Sequence, residues 1–233
     1  MLWLLAGIAA ASECEFVSFK DVVDVEGPTV LVLGERHGHQ PDLRRAMRVV
    51  DTLARTQPVT LAIEAVHHEQ QPVLDAFARG DSRASDLPEL MDWDTMWGFR
   101  WRPYEPLVTA SLVGVKVVAA GLDLGPKPDD AEVNLPSNYM DILRPALAGH
   151  DMPLESEQRF VTSMAWRDFG IARAAIEHWD GRGVLVVLTG RGHVEGGKGV
   201  TFQAGQLTDA KIQSVVLARG GAPPCWPGDR IWR

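Results

Sequence analysis

Two short motifs, each closing an aliphatic run, constrain this chain more than any other feature. Gly34-Glu35-Arg36-His37 follows Thr29-Val30-Leu31-Val32-Leu33, and Gly190-Arg191-Gly192-His193 follows Val184-Leu185-Val186-Val187-Leu188-Thr189. Aliphatic runs ended by glycine read as strands covered on both faces, which is the mark of a parallel sheet. In open α/β sheets the chemistry sits outside the carboxyl ends of the strands. Glu35, His37 and His193 therefore fall where a site is expected.

Further strand-like runs lie at about 59–64, 115–120 and 212–218, alternating with helical patterns. That order predicts an α/β fold in three layers, with a mainly parallel central sheet, helices on both faces and a small helical cap. The helix after the first motif is well marked: Pro41 suits its first turn, and Leu43, Ala46, Met47, Val50, Leu53 and Ala54 form one apolar stripe. A helix from about Gln71 to Arg79 stops at Gly80, and a long one runs from about Ser156 to Trp179. Residues 81–113 read as short helices, and 122–140, rich in Pro and Asp, as a loop. One domain over 13–233 is expected, with 81–113 and 122–180 contributing the cap.

A net charge of −8 and the lack of a dense Lys/Arg cluster argue against a nucleic-acid partner. The arginines at 44, 45, 48 and 55 read as the solvated face of an amphipathic helix. No apolar stretch approaches the roughly 20 residues of a membrane span. Residues 1–12 resemble a signal peptide without its positive start, which predicts a periplasmic or secreted protein, or a cytoplasmic one if the segment is not a signal. In an exported chain a bridge between the two cysteines, Cys14 and Cys225, is expected; in a cytosolic one both are free thiols.

The second strand ends in Glu64, so Glu35, His37, Glu64 and His193 make a set of two carboxylates and two imidazoles at strand ends. Such a set suits zinc, manganese or iron(II) better than magnesium or calcium. With an open position the metal could make a hydrolytic nucleophile from water; without a metal, Glu35, Glu64 and His193 could do acid–base work. The plainer alternatives are strand-end glutamates that are solvated or salt-bridged to Arg36 or Arg191, and hydrogen-bonded structural histidines. A shared ion requires His37 and His193 to lie within about 10 Å, given bonds near 2 Å. His39 could be an outer ligand or a helix cap, and His67 and His68 could line the cleft or the surface.

Asp168 stands on an otherwise apolar stripe with Val161, Ala165, Ala172, Ala175 and Trp179. A carboxylate there must be paired, to an arginine or to a site histidine that it orients. Trp93, Trp97 and Trp101, with Phe99 and Tyr104 nearby, read as core packing or as an aromatic wall for a flat ligand such as a porphyrin. The glycines around His193 let the backbone swing sharply to aim that ring.

Taken in order, Leu33-Gly34-Glu35-Arg36-His37, Ile63-Glu64, Trp101 to Leu107 (WRPYEPL), Met164-Ala165-Trp166-Arg167-Asp168 and Thr189-Gly190-Arg191-Gly192-His193 with a later Gly199-Val200 resemble the ChaN-like haem-binding family. That family falls in the Tiki/TraB group, with erythromycin esterases as structural relatives. The resemblance covers about residues 28 to 218 and implies the three-layer fold, a haem or iron ligand in a cleft at the strand ends, and His37, Tyr104 and His193 as cofactor-binding residues. Where the family pattern places Tyr and Pro after the second motif, this chain has Lys198 and Thr201, and Arg191 replaces the usual Asn. The haem ligand then falls to His37 or Tyr104. In Tiki-like relatives such motifs serve metal-dependent peptide cleavage, so a peptidase- or esterase-type hydrolase with a small-molecule or peptide substrate is the other expectation. A homodimer is left open.

Overall fold

The computed structural model describes residues 14–122, 127–128, 131–144, 153–218 and 225–233. The signal-like segment 1–12, His150, the tail at 220–224 and part of the loop at 122–140 lie outside the described residues.

Seven strands form one sheet in the order β1-β7-β6-β2-β5-β3-β4. They are β1 (Glu15–Val17), β2 (Thr29–Glu35), β3 (Val59–His67), β4 (Lys116–Gly121), β5 (Val184–Gly190), β6 (Lys211–Leu217) and β7 (Arg230–Trp232). Every pairing among them is parallel, so the sheet goes beyond the mainly parallel one expected. The five long strands fall where the aliphatic runs predict them. The edge pair β1 and β7, three residues each, is too short to leave a periodic signal.

Burial follows the period of two. Leu31, Leu33, Leu61, Ile63, Val186 and Leu188 face one core. Val30, Val32, Ala62, Leu185 and Val187 face the other. The first core is covered by α2 (Gln40–Ala54), α3 (Gln71–Ala78) and the short helices α4 (Leu87–Leu90), α5 (Trp93–Met96) and α6 (Glu105–Val108). The second lies under α8 (Leu154–Glu177) and α9 (Val200–Leu207). A third, smaller cluster joins α7 (Tyr139–Leu143) to α8 through Tyr139, Leu143 and Ala165. Helix α1 (Phe19–Val23) opens with a capping box between Ser18 and Asp21.

Two helix details differ from expectation. α2 buries Val49 with Leu43, Ala46, Val50 and Leu53, whereas Met47 and Ala54 are half-buried, so the stripe is rotated toward Val49. α8 begins at Leu154 after Pro153, whose fixed φ suits a helix entry, and Ser156 sits inside the first turn rather than capping it. Cys14 and Cys225 are disulfide-bonded, tying the segment before β1 to the one before β7. No helix among the described residues is long and apolar enough to cross a membrane.

Candidate functional site

The carboxyl ends of β2, β3 and β5 bring together the four side chains expected from the motifs. Glu35 closes β2 opposite Gly190 of β5, on the face of Leu31 and Leu33. Glu64 lies on β3 where its register with β4 shifts between Ile63 and His67, an irregularity of the kind that re-aims a side chain. A Cβ on Gly121 of β4 would stand 2.2 Å from the Glu64 carbonyl oxygen, so the bulge needs that glycine.

Two chains of side chains, each built on a Tyr–carboxylate–His hydrogen-bond pair, converge on Glu64. In the first, the Tyr104 hydroxyl donates to Glu35 Oε1 at 2.7 Å, and His37 Nδ1 donates to the same oxygen at 2.7 Å. His37 Nε2 then faces Glu64 Oε2 at 3.9 Å. In the second, the Tyr139 hydroxyl donates to Asp168 Oδ2, His193 Nδ1 donates to Asp168 Oδ1 at 2.7 Å, and His193 Nε2 lies 3.3 Å from Glu64 Oε1. Carboxylates only accept, which fixes the proton on each Nδ1. Both imidazoles therefore sit within 4 Å of one carboxylate, well inside the separation that a common site requires.

Electrostatics separates the two halves. Burial alone would push the Glu64 carboxyl up. The His193 imidazolium, with help from His37 and a 2.6 Å bond from the Thr189 hydroxyl, holds it well below the usual carboxylate range. Burial pulls the His193 imidazole down, but the Glu64 and Asp168 carboxylates raise it to about 10. His193 is thus a cation clamped between two carboxylates, 5% exposed, with both nitrogens engaged. Burial also raises Asp168, against the pull of His193 and Tyr139. The Tyr104 hydroxyl is pushed far above its ordinary range, first by burial and then by Glu35, so it stays a neutral donor.

His37 differs. Its side chain is 34% exposed, and its Nε2 is beyond hydrogen-bond distance of Glu64. Burial lowers its affinity for a proton, but the Glu35 hydrogen bond and the Glu64 charge raise it overall. Its ring stacks near Phe99 and tilts against Trp97, each at 5.8 Å between centroids. That wall is tied down: Trp97 Nε1 donates to the Ala65 carbonyl and Trp93 Nε1 to the Phe99 carbonyl. Gly38, at φ +71, lets the chain pass Phe99, where a Cβ would approach to 2.7 Å.

The remaining candidates have local roles. Arg36 and His39 both bind buried Asp42, so Arg36 does not reach Glu35 and His39 makes no helix-cap bond. Arg191 pairs with Glu195 at 3.4 Å. His68 contacts the Gly121 carbonyl, and His67 packs edge-on against Trp97. Tyr104 is fully buried with its oxygen held between Glu35 and the Gly38 N–H. Tyr139, Thr189 and the Gly190 N–H, which donates to Glu64 Oε2 at 2.7 Å, were not foreseen. Only the solitary carboxylate on the α8 stripe signalled a partner for His193. Among the described residues no group of three or more His, Cys, Asp or Glu is arranged to hold a metal ion.

Residues 22–125 match the family model described as haem-binding uptake, Tiki superfamily, ChaN. Over that stretch, somewhat under half of its length, the chain is similar to the ChaN family. A solved structure titled for cofacial heme binding to ChaN of Campylobacter jejuni superposes with a TM-score of 0.66 at 19% identity, covering 88% of this chain and 86% of that one. The C-terminal region of Pasteurella multocida toxin, titled for a thiol-protease like catalytic triad, gives a TM-score of 0.53 at 14% identity, covering 92% of this chain and 26% of that one. At these identities the structures establish the shared fold. Both cysteines of this chain are in the disulfide, so it offers no free thiol. No curated protein sequence matches it.

Proposed function

We propose that the chain binds haem at the rim where β2, β3 and β5 end, with the His37 imidazole as the protein's ligand to the iron. The observation that carries this reading is the state of His37. Its Nδ1 is pinned by Glu35, while its Nε2, on a partly exposed side chain, is beyond hydrogen-bond distance of Glu64. An imidazole whose other nitrogen donates to a carboxylate is oriented and made a stronger donor to a metal. Glu35 Oε2 is buried and accepts no hydrogen bond among the described residues, so the carboxylate keeps charge to exert on that ring. Trp97 and Phe99 supply an apolar flank suited to a porphyrin face. The residues therefore fit the group.

The roles of the other side chains follow from their burial. Tyr104 fixes Glu35 rather than touching the ligand. His193, closed in by Asp168 and Glu64, sets the charge of Glu64 beneath His37. Haem, when bound, supplies an iron centre that binds further ligands and exchanges electrons; the chain's own part is to orient one imidazole and raise the basicity of its outer nitrogen, which strengthens it as a donor once its proton is given up. Export to an oxidising compartment is part of the proposal, and the Cys14–Cys225 bridge supports it.

The test is a hemin titration followed by absorbance. A Soret shift saturating at a fixed stoichiometry is expected, and His37→Ala abolishes it while leaving the thermal midpoint nearly unchanged. A silent titration, or one that His37→Ala leaves intact, overturns the assignment. One observation favours a second reading, a metal-dependent hydrolase. Both Nε2 atoms face Glu64 with both Nδ1 atoms on carboxylates, the outer ring typical of metal-ligating histidines. Zinc or manganese copurifying near one per chain, with hemin silent, is the result that selects it.

A further inference from the structure

We propose that the outward face of α2 is a docking groove for an extended acidic peptide segment. Arg44, Arg48 and Arg55 are exposed and line one groove of about 540 Å³. None of the three makes an ion pair or hydrogen bond among the described residues, and Arg48 instead lies over the Phe19 ring at 3.9 Å. Nearby Arg45, on the same helix, is by contrast occupied by the Ala218 and Trp232 carbonyls. Three guanidinium groups without a carboxylate partner are thus collected on one stripe of a chain of net charge −8, a local charge opposite to that of the whole. Asp51 also lines the groove, so one carboxylate faces three cations and the stripe stays positive.

The spacing selects the ligand. Arg44 to Arg55 covers about 16 Å of helix rise, and Arg44 to Arg48 about 6 Å. A single carboxylate or phosphate cannot reach along that length. An extended strand advances about 3.3 Å per residue with alternate side chains on one face, so five or six residues span the stripe and place acidic groups at about the Arg44–Arg48 interval. Met47, Pro103 and Pro106 give the groove an apolar flank for the side chains between. Guanidinium groups suit the carboxylates by geometry as well as by charge. None of these residues belongs to the His37–Glu64–His193 cluster.

The experiment uses the whole chain and a fluorescein-labelled hexapeptide, Glu-Glu-Leu-Glu-Leu-Glu, followed by anisotropy. Saturable binding is expected that weakens with added salt. Arg44→Gln, Arg48→Gln and Arg55→Gln should each cost about two- to fivefold, the triple variant tenfold or more, and Arg83→Gln nothing. The single variants carry the test if the triple one loses its fold by circular dichroism. Equal binding of the all-Gln peptide, undiminished binding by the Arg variants, or sedimentation with phosphatidylglycerol vesicles in place of peptide binding each overturns the proposal.

Discussion

Replacing Asp168 by Asn tests the charge model of the buried half of the site. The two side chains are nearly isosteric, so Tyr139 and the His193 ring keep partners while one carboxylate charge disappears. His193 rises from 6.5 to about 10 in the folded protein because Glu64 and Asp168 outweigh burial. That difference corresponds to roughly 5 kcal/mol between the two protonation states. Because the folded value is the higher one, this stability is fully present below about pH 6.5 and is lost as pH climbs through about 10. Asp168 bonds His193 at 2.7 Å and Glu64 approaches at 3.3 Å, so both carboxylates are needed to outweigh the burial of the ring. Asp168→Asn should therefore cost roughly 3–5 kcal/mol at neutral pH, the range for a buried ion pair that loses one partner, and move the alkaline loss to lower pH. Urea unfolding at several pH values, with the His193 ring followed by NMR, measures both. If variant and parent lose stability over the same interval, or the parent ring titrates near 6.5, the clamped imidazolium is wrong.

Gly190→Ala should weaken hemin binding at least about tenfold and cost about 1–3 kcal/mol, since the added Cβ would stand 2.8 Å from His37 Nε2; the hemin titration and a melting curve read the two effects. Tyr104→Phe removes a donor from Glu35 and an acceptor from the Gly38 N–H, for an expected loss of about 1–3 kcal/mol in urea unfolding. Cys14→Ser with Cys225→Ser opens a loop of 211 residues, which chain entropy values at about 5 kcal/mol, and dithiothreitol should lower the melting temperature of the parent but not of the double variant.

The sheet was readable because its inner strands are hydrophobic on both faces and therefore write continuous aliphatic runs; β1 and β7, short and at the edge, write none. The convergence of Glu35, His37, Glu64 and His193 was legible from strand ends alone, since a parallel sheet puts all carboxyl ends on one rim. Who bonds whom was not. Asp168 announced a need for a partner by its place on an apolar stripe, and the partner proved to be the histidine rather than an arginine. Tyr139 gave no warning, because its bond to Asp168 joins two helices whose relative placement no local pattern encodes. Tyr104 stands out in the sequence as the polar tip of an aromatic cluster, and in the structure that tip turns inward to Glu35.

The Thr189 hydroxyl and the Gly190 N–H, both on β5, grip a carboxylate that belongs to β3. If those two neighbours slid past each other by a single residue, every side chain would change faces and the grip would be lost. The Glu64 environment is therefore a gauge of strand alignment: a native His193 resonance certifies that the middle of the sheet zipped up correctly, with no separate structural assay.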